Sequence, residues 1–128
     1  MKALLLFAAL SMQFISYSQQ LTRGPHQGLV KEVGLYKIEM LGCSDHIEVY
    51  LLDQEMQSIN NHQITGHVRF YFNNKTSQDS PLMPYGQDGF SAKIPQSEFF
   101  NCIVTIDILS KPISATFESE CAKVTGSK

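Results

Sequence analysis

The chain has 128 residues, with 10 basic and 12 acidic side chains, a formal net charge of −2, 43% apolar residues and no tryptophan. Charges of both signs are interspersed, and no basic stripe exists of the kind that sequence-independent nucleic-acid binding requires, so nucleic acid is not expected as a partner. The length suits one ordinary domain.

Lys2 precedes an apolar run from Ala3 to Leu10 that continues through Phe14-Ile15. One positive charge followed by a short apolar stretch is the pattern of a secretory signal. Ser11 and Gln13 interrupt it, whereas a membrane-spanning helix needs about 20 consecutive apolar residues. Ser16 and Ser18 flank Tyr17 in a small-x-small arrangement that places cleavage before Gln19. The expected organisation is a signal peptide over 1–18 and a single domain over 19–128, its core spanning about 24–119. That domain is expected in the periplasm or secreted, with no membrane span in the mature chain. Cys43, Cys102 and Cys121 all follow the cleavage point. An oxidising compartment permits one disulfide, and an odd count leaves one thiol over. Sequence alone leaves the pairing open. A hairpin about Ser110-Lys111 would bring Cys102 nearly opposite Cys121, and that pair is the expectation.

The mature sequence reads as short strands between turns. Leu29 to Val33 is the first strand, ended by Gly34. Leu35 to Leu41 alternates Tyr36, Ile38 and Met40 against Lys37 and Glu39, the period-2 signature of a half-buried strand. His46 to Leu52 alternates again, after a turn over Gly42 to Asp45. Asp53 to Gln63 reads as a polar loop. Ile64 to Phe72 carries Val68, Phe70 and Phe72 on one face, and Asn73 to Ser80 reads as a polar connector. Pro81 to Pro84 can only be extended chain or an edge strand, since each proline lacks a ladder donor. Asp88-Gly89 turns into a strand over Phe90 to Ile94, and Cys102 to Leu109 and Pro112 to Glu118 form the last two. No stretch has helical spacing of apolar residues. About seven or eight short antiparallel strands at regular spacing predict an all-β, immunoglobulin-like sandwich.

Gly24-Pro25-His26-Gln27-Gly28 stands just ahead of the first strand, with Tyr36-x-Ile38-Glu39 and Val49-Tyr50-Leu51-Leu52-Asp53 downstream. In these motifs the chain resembles the small β-sandwich domain near the N-terminus of periplasmic adaptor subunits of cobalt-zinc-cadmium type heavy-metal efflux pumps, and the stand-alone exported proteins that share it. Such domains open with Gly-Pro-His-Gly-Gly, follow with a strand ending in an acidic residue, and then have a strand leading into an Asp-Gly turn. Gly24, Pro25, His26, Gly28, Glu39, Tyr50 and Asp53 match, while Gln27 and Gln54 replace glycines. The resemblance covers about residues 23–118 and lacks the adaptor's hairpin and barrel regions. It implies an accessory domain for transition-metal handling, working with a metal-efflux assembly or another exported protein.

Pairing about Gly34 brings His26 beside Glu39 and Met40, and these three are the candidate ligands for a transition-metal ion such as Cu or Zn. Against that assignment, a histidine in a strand-entry turn more often makes a local hydrogen bond, Glu39 fits a solvated outward carboxylate, and Met40 alternates with core residues. His46, His62 and His67 add imidazoles on polar faces or loops, without Cys-x-x-Cys or His-x-x-x-His spacing. No nucleophile motif, carboxylate pair or phosphate-cradling glycine loop is present, so no catalysis is expected. Two functional classes remain: an exported accessory domain of metal handling, and a structural or protein-interaction sandwich that pairs through an edge such as Pro81 to Pro84.

Overall fold

A computed structural model describes residues 22–42, 45–96 and 99–119. The expected signal peptide, Cys43 and Cys121 lie outside the described residues. Nine strands follow one another among the described residues: β1 (Leu29–Val33), β2 (Tyr36–Leu41), β3 (His46–Leu52), β4 (Thr65–Tyr71), β5 (Ser77–Pro81), β6 (Met83–Tyr85), β7 (Gly89–Lys93), β8 (Asn101–Ile108) and β9 (Lys111–Glu118). They form a five-stranded sheet in the order β1-β2-β3-β7-β6 and a four-stranded sheet in the order β5-β4-β8-β9. Every pairing is antiparallel. The neighbours β3-β7 and β4-β8 are the crossed pairs of an immunoglobulin-like Greek key.

The alternation read from sequence fixes which faces meet. Ile38, Met40, Ile47, Val49 and Leu51 from one sheet, and Val68, Phe70, Cys102, Val104, Ile106 and Phe117 from the other, are all fully buried in one core. Phe70 and Phe99 meet edge to face there, centroids 5.0 Å apart, a geometry that adds to area burial in aromatic pairs.

Two elements depart from the sequence expectation. The polar connector contains β5, whose only buried residue is Ser80. An edge strand needs few apolar side chains, so it carries no alternation to read. Its Ser80 hydroxyl donates to the Lys93 carbonyl at 2.7 Å and ties it to β7. The final turn is Leu109-Ser110, one residue earlier than expected, with φ of 52° and 70°. Positive φ at both central positions marks a type I′ turn, whose twist suits a two-residue hairpin. It pairs Ile108 with Lys111 and so sets Cys102 opposite Phe117, and the ladder ends at Asn101 opposite Glu118. Cys102 is a free, buried thiol, which donates to the Met40 sulfur at 3.6 Å across the core.

Candidate functional site

The entry to β1 is a tight loop. Gln27 N–H donates to the Gly24 carbonyl and Gly24 N–H to the Gly28 carbonyl, both at 2.9 Å. Pro25 holds the first central position of that turn, where its fixed φ is favourable. Gln27 follows in left-handed conformation, φ 72°. The loop sends Thr22 and Arg23 back along β1: Arg23 bridges to Leu29, and Val30 N–H donates to the Thr22 carbonyl at 3.0 Å.

Register places the rest. Glu39 on β2 lies opposite Val30 on one side and Tyr50 on the other, and Tyr50 lies opposite Gly89. These side chains leave the sheet on the face away from the core, because Ile38, Met40, Val49 and Leu51 take the core face. Yet Glu39 is fully buried. The loop covers it. Its Oε2 accepts the backbone N–H groups of His26 at 2.9 Å and Gly28 at 2.8 Å. Its Oε1 lies 2.8 Å from His26 Nδ1. We assign the proton to Nδ1, since a carboxylate already accepting two N–H groups serves best as acceptor throughout. The close cover depends on missing side chains. A Cβ at Gly24 would lie 2.6 Å from Glu39 Oε1, and one at Gly28 would lie 2.6 Å from the Met40 carbonyl oxygen.

The imidazole of His26 stacks on the Tyr50 ring, with centroids 3.6 Å apart and planes within 8°. The Tyr50 hydroxyl donates to Glu48 at 3.3 Å, and burial, followed by the Glu48 charge, pushes its pKa up to about 12. Beyond Glu48 sits His46, its Nε2 3.6 Å from Glu48 and its Nδ1 3.0 Å from Asp45. A line of polar and aromatic groups therefore crosses the outer face from Glu39 to Asp45.

Of the three candidate ligands, the fold brings His26 and Glu39 together and sends Met40 to the opposite face, into the core. A buried charge saturated by hydrogen bonds holds a structure together; it has no lone pair turned toward solvent. The outer nitrogen of His26 is the exception. Holding Nδ1 against a carboxylate fixes the tautomer and leaves Nε2 as an acceptor, the arrangement that orients histidine ligands in metal sites. Among the described residues no group of three or more His, Cys, Asp or Glu side chains is placed to hold a metal ion. Sequence reasoning had located His26 beside Glu39 but missed Tyr50 as the third member; the register about β2 and β3 contained that signal. Comparison of the chain with known protein families, curated proteins and solved structures finds no match to any of them.

Proposed function

We propose that this chain is an exported, non-catalytic β-sandwich that serves as a structural or protein-interaction module, and that the Gly24–Gly28 loop with Glu39 and Tyr50 is the clamp holding its first sheet edge. The observation that carries this reading is that both Glu39 oxygens are engaged by short hydrogen bonds within a fully buried environment. Removing the carboxylate should therefore act on stability. Glu39→Ala leaves the buried N–H of Gly28 and the partly buried N–H of His26 without acceptors and is expected to cost about 3 kcal/mol. Glu39→Gln can keep the oxygen for both N–H groups and offer its amide to Nδ1 of the other tautomer, so about half that loss is expected. Urea melts of the three proteins measure this, and equal, near-zero effects would remove the clamp.

A second reading, transition-metal handling with a metal-efflux assembly, is favoured by the outward Nε2 of His26 and by the motif resemblance. It is tested by melting the protein with Cu(I), Cu(II), Zn(II) or Co(II), because a ion that binds only the folded chain raises the transition. The clamp reading expects no shift. A shift that disappears in His26→Ala supports metal handling instead.

A further inference from the structure

Beside the clamp, the outer face of the first sheet carries a second ordered group of ligating side chains. His46 and Glu48 alternate with the core residues Ile47 and Val49 on β3, so both leave the sheet on its outer face. Residues two apart on one strand are separated by about 7 Å along the backbone. Here the side chains converge, and His46 Nε2 lies 3.6 Å from Glu48 Oε2. That gap is longer than a hydrogen bond. It suits a shared ion, because bonds of about 2.1 Å from one zinc ion, at a tetrahedral angle, hold their donor atoms about 3.4 Å apart.

Each of the two side chains is aimed by a further group. Asp45 Oδ1 lies 3.0 Å from His46 Nδ1. Assigning the ring proton to that nitrogen leaves the lone pair on Nε2, toward Glu48. The Tyr50 hydroxyl donates to Glu48 Oε1 at 3.3 Å, and the other oxygen, Oε2, is the one near His46. Tyr50 is itself buried and stacked on His26, so this support is anchored in the clamp. A carboxylate behind a histidine and a hydrogen bond behind a carboxylate are the outer supports of metal ligands. Lys93 faces His46 from β7, but Asp45 and Glu48 outweigh it and leave the place net negative. Side-chain exposures of 41% for His46 and 25% for Glu48 put both within reach of an ion from solution.

The geometry points to a surface site for a divalent transition-metal ion, Zn(II) or Cu(II), held by His46 Nε2 and Glu48 Oε2, with Asp45 and Tyr50 as positioning residues. An imidazole beside a carboxylate suits these ions better than Mg(II) or Ca(II), which take all-oxygen shells. Two ligands from the chain are fewer than the three or four typical of resident zinc sites, so water completes the shell and the ion exchanges with solution. The site shares no ligand with the His26 reading, and either can fail without the other.

The test is a titration of the purified chain with zinc chloride at neutral pH, read at the imidazole signals of His46 by proton–nitrogen NMR. An ion taken elsewhere on the chain, by a thiol for instance, does not register there. The His46 signals are expected to shift saturably between micromolar and millimolar zinc, and Cu(II) is expected to broaden them together with the Glu48 amide. Glu48→Gln removes a ligand and Asp45→Asn the support behind His46, and each should weaken the fitted affinity about tenfold. Tyr50→Phe keeps the stack on His26 and should weaken it by a smaller factor, while His67→Ala should leave it unchanged. The His26 signals, followed in the same samples, report the other reading separately. All these positions except Tyr50 are open to solvent, so the variants are expected to fold. A His46 ring that stays silent at millimolar zinc, a response that never saturates, or an affinity indifferent to both Glu48→Gln and Asp45→Asn overturns the inference.

Discussion

Two histidines on the same outer face, His26 and His46, pair with carboxylates, and burial gives the two places opposite characters. Glu39 is enclosed with His26 and bound by three short contacts. Asp45 and His46 are open to solvent, so their attraction is weak and screened by salt. Their effect is visible in titration. The hydrogen bond from His46 lowers Asp45 below its ordinary 3.8. The Asp45 bond, followed by Glu48 and opposed by slight burial, raises His46 above 6.5. A raised histidine stabilises the fold fully below 6.5, and that contribution is lost as pH rises through the raised value. A lowered aspartate stabilises above 3.8, and that contribution is lost as pH falls through the lowered value. The pair thus favours the fold most between 3.8 and 6.5. Proton NMR should place the His46 midpoint above 6.5. Asp45→Asn should move it down, with part of the rise retained through Glu48. A midpoint unchanged by Asp45→Asn would show that the two do not interact in solution.

At the scale of elements, the loops carry avoidable cost. Gln27 and Leu109 sit at φ of 72° and 52°, where an L residue with a Cβ loses about 1 kcal/mol. Leu109 is also 90% exposed. Gln27→Gly is expected to stabilise the β1 entry by about 0.5–1 kcal/mol, and Asn-Gly in place of Leu109-Ser110 should give a similar gain. Chemical denaturation of each variant measures both, and a loss of stability in Gln27→Gly would mean that the Gln27 side chain has contacts of its own. The same distinction explains what could be read beforehand. β2, β3, β4, β8 and β9 were legible because one face of each enters the core and imposes alternation. β5 was not, since an edge of serines and charges imposes none. Glu39 looked like a solvated outward residue for a related reason: strand period assigns a face, but a loop from elsewhere in the chain decides whether that face is covered. The Leu109-Ser110 turn was shifted by one residue because an exposed leucine in left-handed conformation carries no turn signature.

For the whole molecule, the decisive contact is between the sheets. Met40 reaches the core from the first sheet and Cys102 from the second, their sulfurs 3.6 Å apart. Burial pushes the Cys102 thiol up to about 12, and the thiolate is the reactive form. Alkylation at neutral pH should therefore require separation of the two sheets, which makes Cys102 a reporter of global opening. In mass-spectrometric peptide mapping, Cys102 should remain unmodified in the native protein and react on addition of denaturant. Where opening and closing are faster than alkylation, the rate follows the population of the open state. Each loss of about 1.4 kcal/mol should then raise it tenfold. Glu39→Ala, at about 3 kcal/mol, is expected to accelerate labelling of Cys102 by about a hundredfold, although Glu39 lies on the opposite face of β2 from Met40. An unchanged rate in that variant would mean that the loop and first sheet edge release locally while the core stays shut. A matching rise would mean that the outer clamp and the inner core unfold as one cooperative unit.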